Sequence, residues 1–152
     1  MTTSPTITQD LVSLFVSQAI GDYQWEDSPY KDWQQLDPKN KGSVGEKLAS
    51  YLLGVAMSNP FDKGGKDLLD GTEVKTCFLT KNGKFMLNRV KQDCELIVLV
   101  IVQPYKLEVF KTTLTKLKEL DVLKQQGRGN NDLMGTFTYE QFLSISTPIT
   151  LP

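Results

Sequence analysis

Apolar residues at Leu11, Leu14, Phe15 and Ile20 recur at about a helical period, and the spacing predicts a helix over 7–20. Thr8 suits its N-cap and Gly21 its stop. The next stretch, Asp22 to Asn40, is aromatic and polar. Within it, Ser28-Pro29 opens a short helix through Asp32, Trp33 and Leu36. From Gly42 to Val55, a stripe of Val44, Leu48, Tyr51, Leu52 and Val55 predicts another amphipathic helix. Asn59-Pro60 ends it, and Lys63-Gly64-Gly65-Lys66 reads as a flexible basic loop.

Beyond that loop the period shortens to that of strands. Asp70-Gly71 is a turn dipeptide between two strand-like runs, which predicts a hairpin over 67–75 that continues through Thr76-Cys77-Phe78-Leu79. Lys81-Asn82-Gly83-Lys84 carries a second hairpin signal. Glu95 to Val102 is apolar on both faces, as in a central strand covered on both sides. Tyr105 to Phe110 alternates like an outer strand, and Thr112 or Thr113 caps a helix through Leu114, Leu117, Leu120 and Leu123. A polar loop from Gln125 to Asp132 leads to a short strand, Thr136 to Tyr139, and one helical turn ending near Ile145. The order α, α, β-hairpin, β, β, α, β is that of a mixed α/β single domain spanning 1–152.

Composition narrows the chemistry. At 152 residues, 39% hydrophobic and 23% charged, the chain has an ordinary globular balance and no apolar run of membrane-spanning length. The start Met1-Thr2-Thr3-Ser4-Pro5 does not resemble a signal peptide, and Cys77 and Cys94 are expected to be reduced thiols. Both point to the cytoplasm. The chain has no histidine, which excludes Ser-His-Asp and Cys-His nucleophiles, histidine general bases and most catalytic zinc sites. Chemistry must run on carboxylates, lysines, hydroxyls and a hard cation. With a net charge of −1, nucleic-acid binding requires the fifteen lysines and two arginines to be clustered.

The hairpin over 67–75 is where such chemistry concentrates. Glu73 and Lys75 share one strand face while Val74 turns to the core. With Asp67 they supply two carboxylates and an amine, the parts needed for metal-assisted hydrolysis of a phosphodiester. Register decides whether Asp67 joins them. A two-residue turn pairs Asp67 with Val74 and points it away. A bulge at Thr72 pairs it with Lys75 and aligns all three, so a bulge or bent strand is expected there.

Lys66-Asp67-Leu68-Leu69 and Gly71-Thr72-Glu73-Val74-Lys75-Thr76, downstream of a helix opened by Lys41-Gly42-Ser43-Val44-Gly45-Glu46, resemble the PD-(D/E)XK nuclease superfamily. That superfamily includes many restriction endonucleases and the mismatch-repair nicking endonuclease. The element order is similar over most of the chain, while recognisable motif lies between Lys41 and Thr76. The resemblance implies an α/β restriction-endonuclease-like core with a mixed central sheet flanked by helices. It implies magnesium, with manganese possible, held by Asp67 and Glu73. Lys75 would position or help deprotonate the attacking water, and Glu46 would be the additional helix acid. The chain departs from the pattern in having Lys66 where a proline commonly stands, a short spacer between the acids, and Glu46 about one turn early.

The function expected is that of a magnesium-dependent DNA endonuclease of type II restriction kind, in a bacterial or phage-infected cell. Cutting both strands takes two active sites, so a homodimer is expected. The alternatives are a structure-selective phage or repair nuclease of junction-resolvase type, and an inactive nuclease-like domain that only binds a partner. Lys63, Lys66, Lys81, Lys84, Arg89 and Lys91 flank the site and could meet phosphates. Gln126, Arg128 and Asn130 carry the side chains that read bases bidentately. An ordinary solvated surface has the same composition in both places. Trp25 and Trp33 read as core or interface anchors, and Cys77 as packing.

Overall fold

The computed structural model describes residues 7–58, 66–127 and 131–150, with only the backbone described over 17–23. Helix α1 (Gln9–Glu26) starts as expected, with the Thr8 side chain accepting the Leu11 N–H at 3.1 Å. It does not stop at Gly21. A mid-helix glycine costs only about 1 kcal/mol, and continuing through it carries Trp25, 2% exposed, into the core. Leu11, Leu14 and Phe15 are exposed, so their periodicity marks the helix without marking a buried face. Helix α2 is a single turn (Lys31–Gln34) that ends before Leu36.

Helix α3 (Pro38–Leu53) begins four residues before Gly42 because Asp37 caps it, accepting the Asn40 N–H at 2.8 Å, with Pro38 in the first turn. Gly54, at φ 67°, closes it. The face that packs on the sheet is built on Gly45 and Ala49. Tyr51, assigned to the apolar stripe from its spacing, is 75% exposed.

Strands β1 (Glu73–Phe78), β2 (Phe85–Val90), β3 (Leu96–Gln103) and β4 (Lys106–Thr113) follow. Helix α4 (Leu114–Glu119), capped by Thr113, precedes β5 (Lys124–Gln125) and β6 (Leu133–Phe137). Helix α5 (Tyr139–Ile145) and β7 (Thr147–Pro148) complete the order. The strand expected over 136–139 ends at Phe137, since Thr138 and Gln141 form a reciprocal capping box that starts α5.

The strands form two sheets. One is mixed, in the order β1-β3-β4-β7, with β1 parallel to β3 and the other pairs antiparallel. The other is antiparallel, β2-β6-β5. The turn signal at 81–84 does form a turn, with the Thr80 N–H on the Lys84 carbonyl at 3.0 Å. Its two arms then part into different sheets and do not pair with each other. Strand β4, expected on the outside, is flanked by β3 and β7.

β3 is the buried centre. Val98, Val100 and Val102 face a layer with Trp25, Ala49, Leu68 and Val74, while Ile97, Leu99 and Ile101 face Phe85, Leu87, Phe137, Leu117 and Phe142. Two faces covered by different layers account for its unbroken apolar run. The architecture is thus α/β with a mixed sheet and flanking helices. Among the described residues, no helix is long and apolar enough to cross a membrane.

Candidate active site

β1 lies at the border of the mixed sheet, and its alternation sets Glu73, Lys75 and Cys77 on one face and Val74 and Thr76 on the other. Asp67 joins this strand by a route different from the expected one. No two-residue hairpin forms, and no bulge occurs at Thr72. The Leu68 N–H donates to the Thr72 carbonyl at 3.0 Å, the Gly71 N–H to the Leu68 carbonyl at 3.1 Å, and the Thr72 N–H to Asp70 Oδ1 at 3.0 Å. These bonds close a loop over 68–72, with Gly71 at φ 91°. The Ser58 N–H on the Asp67 carbonyl and the Leu69 N–H on the Ala56 carbonyl tie that loop to the exit of α3. Asp67 therefore stands outside any strand. Its Oδ2 accepts the Val74 N–H at 2.8 Å, and this side-chain bond aligns the acid with β1.

Three carboxyls meet there. Glu46, at the middle of α3, and Glu73, at the head of β1, each lie within hydrogen-bonding reach of Asp67. Glu73 is 5% exposed and Glu46 half-buried. Burial first, and then the Asp67 charge, push both carboxyls up to about 7. Lys75 acts in the opposite direction on both without cancelling the rise. Among the described residues, no group of three or more acids, cysteines or histidines already stands in the arrangement of a metal cage. The carboxyls are turned to one another. Their chemistry nonetheless fits a hard divalent cation, being all oxygen and partly desolvated.

The Lys75 ammonium donates to the Arg89 carbonyl at 2.8 Å, which carries it across to the second sheet. Arg89 sits at an irregularity in β2, between the Leu87–Gly135 and Val90–Leu133 pairs, with φ 51°. Its own N–H donates to Gln126 Oε1 at 2.7 Å. Cys77 is fully buried beside this face, and burial pushes its thiol up to about 12, in keeping with packing. Both cysteines are free.

Around these groups opens a groove of about 1280 Å³, lined by Glu46, Asp67, Glu73 and Lys75 and walled by Lys39, Lys41, Lys81, Arg89, Lys91 and Gln126. Lys66 is instead ion-paired with Asp93 at 2.7 Å, and Lys84 is exposed on the 80–84 turn outside the groove lining. Lys63, Arg128 and Asn130 lie outside the described residues.

Lys39, and Lys41 of the quoted helix-start motif, are not among the phosphate contacts expected from sequence, although two lysines in the first turns of a glycine-bearing helix are a usable signal. The Lys41 carbonyl accepts the Trp33 indole N–H at 3.1 Å, and its ammonium lies 5.1 Å from the centre of the Phe78 ring. Trp25, Trp33 and Phe78 pack edge-to-face beneath it, which makes both tryptophans anchors of the groove wall.

No protein-family model matches the chain, and no curated protein is significantly similar to it.

Proposed function

We propose that the chain is a magnesium-dependent DNA endonuclease that hydrolyses phosphodiester bonds, of the type II restriction kind, acting as a homodimer. One observation carries the reading: Glu46, Asp67 and Glu73 converge beside Lys75 in a groove whose walls are lined with lysine and arginine. Acids that repel one another at the floor of a basic groove suit a substrate that brings both phosphate and a cation. Asp67 and Glu73 would hold magnesium or manganese, which supplies Lewis acidity at the phosphate and lowers the pKa of a bound water.

The remaining work belongs to side chains of this chain. The Val74 N–H holds the Asp67 carboxylate beside the strand, and Glu46 orients it from the other side. Lys75, steadied by the Arg89 carbonyl, offers a fixed positive charge to the oxygens on which charge builds during attack. Lys39, Lys41, Lys81 and Lys91 neutralise flanking phosphates and seat the backbone in the groove.

Incubation with plasmid and phage DNA in magnesium, followed by end mapping, tests the reading. Asp67→Ala and Lys75→Ala should abolish cleavage while circular dichroism stays native. Cleavage that persists in both folded variants overturns it, as does the lack of any metal-dependent cutting by the wild-type chain.

A further inference from the structure

We infer that Gln126 is a positioning residue for Lys75, acting through the main chain of Arg89. For its catalytic meaning the inference rests on the nuclease reading above. Its geometric content stands by itself.

Between the Leu87–Gly135 and Val90–Leu133 pairs, β2 places two residues, Asn88 and Arg89, opposite the single Met134 of β6. Such a bulge leaves main-chain groups without ladder partners and re-aims the residue it contains. Both groups of Arg89 are taken up by side chains from other elements. Its N–H goes to Gln126 Oε1 at 2.7 Å, and its carbonyl receives the Lys75 ammonium at 2.8 Å. An N–H can only donate, so the amide oxygen of Gln126, and not its nitrogen, faces Arg89.

Arg89 also lies in the left-handed region, at φ 51°, which a side chain bearing a Cβ adopts only when its surroundings hold it there. The bond to Gln126 is one of those restraints. Gln126 is itself fixed, because its N–H donates to the Asp132 carbonyl at 2.8 Å and so closes the neck of its loop. Without the Gln126 acceptor, Arg89 relaxes toward an extended conformation and its carbonyl turns away from Lys75. The carboxyls whose charge that ammonium already feels, Glu73 and Glu46, then become its competing partners. A lysine ion-paired to the acids loses its orientation toward substrate and competes for the oxygens that would hold a cation. The amide oxygen of Gln126, whose side-chain type reads adenine in other settings, is thereby committed to the Arg89 main chain.

The experiment compares wild type, Gln126→Leu and Gln126→Glu. Single-turnover cleavage of a duplex in magnesium is measured alongside binding of the same duplex in calcium. Lys75 ammonium protons are followed by NMR. Gln126→Leu keeps the volume and removes the acceptor, so cleavage should slow by about 10- to 100-fold with binding unchanged within about twofold. The hydrogen-bonded Lys75 ammonium signal should broaden or vanish. Gln126→Glu keeps an acceptor for the Arg89 N–H and should restore both the rate and the signal. Cleavage by Gln126→Leu within twofold of wild type overturns the inference. So does a loss of cleavage matched by an equal loss of binding, which would make Gln126 a DNA contact. If wild type cuts no DNA, the nuclease reading falls, and an identical Lys75 signal in wild type and Gln126→Leu would then overturn the positioning role separately.

Discussion

Gly45 of α3 and Thr76 of β1 approach so closely that a Cβ on the glycine would lie 1.8 Å from Thr76 Oγ1. The helix can rest on the strand only because this residue has no side chain, and Glu46 follows it directly. Gly45→Ala should therefore push α3 off β1, destabilise the protein by about 1–3 kcal/mol and carry Glu46 away from Asp67. Gly42 sits one turn earlier with nothing within 4 Å of its Cβ direction, so Gly42→Ala should stabilise by about 0.5–1 kcal/mol. Urea unfolding of the two variants should give opposite signs.

Asp67 has two duties that substitution can separate. Asp67→Asn keeps an oxygen for the Val74 N–H, so its stability should stay within about 1 kcal/mol of wild type, whereas Asp67→Ala leaves that amide unpartnered and should lose about 1–3 kcal/mol. Both should abolish magnesium binding measured by calorimetry. Asp67→Asn that binds magnesium as tightly as wild type would remove this acid from the cation site.

The raised carboxyls give stability a definite pH dependence. Glu46 and Glu73 move from 4.5 to about 7 on folding, so between those values the folded chain binds more protons than the unfolded one. Stability is therefore greatest at or below about pH 4.5 as far as these two groups are concerned, and it falls as pH rises through 7. In chelator, the melting temperature should decline across that window, and Glu73→Gln should flatten the decline. Millimolar magnesium should raise the melting temperature more at pH 8 than at pH 5. A cation shift that is equal at the two pH values would detach the acids from the cation.

Groove lysines should reveal themselves through salt. Lys81→Ala and Lys91→Ala should each weaken duplex binding by a similar factor for every sequence and lower the slope of log K against log salt by about 1. Lys84→Ala, on the same turn as Lys81 but outside the groove, should leave the slope unchanged.

Legibility in the sequence followed how local each feature is. Thr8, Asp37, Thr113 and Thr138 accept the N–H three residues on, yet only the caps of α1 and α4 stood out in a short window; α3 starts four residues before the expected Gly42, and Thr138 reads locally as strand. The run 95–102 is apolar on both sides because different layers cover them, and its role as the sheet's centre was plain. The 67–75 hairpin misled because Leu68-Leu69 looks like strand. In the structure Leu68 is 1% exposed, Leu69 is 67% exposed, and only Leu68 forms a bridge, with Met57. Glu73 and Lys75 were on the expected shared face, but nothing local to them announces that β1 pairs in parallel with β3 or that Lys75 meets a bulge in another sheet. Those contacts join segments distant in the chain, and only the closed fold brings them together.

At the rim of the four-stranded sheet, the Val74 amide points away from β3, where a further strand could dock. Asp67 covers that amide with a charged group, one of the ways natural sheets keep neighbouring chains from adding on. The acid proposed for catalysis is thus also a guard against self-association. Removing it would uncover a sticky border at the same moment as it silences the site.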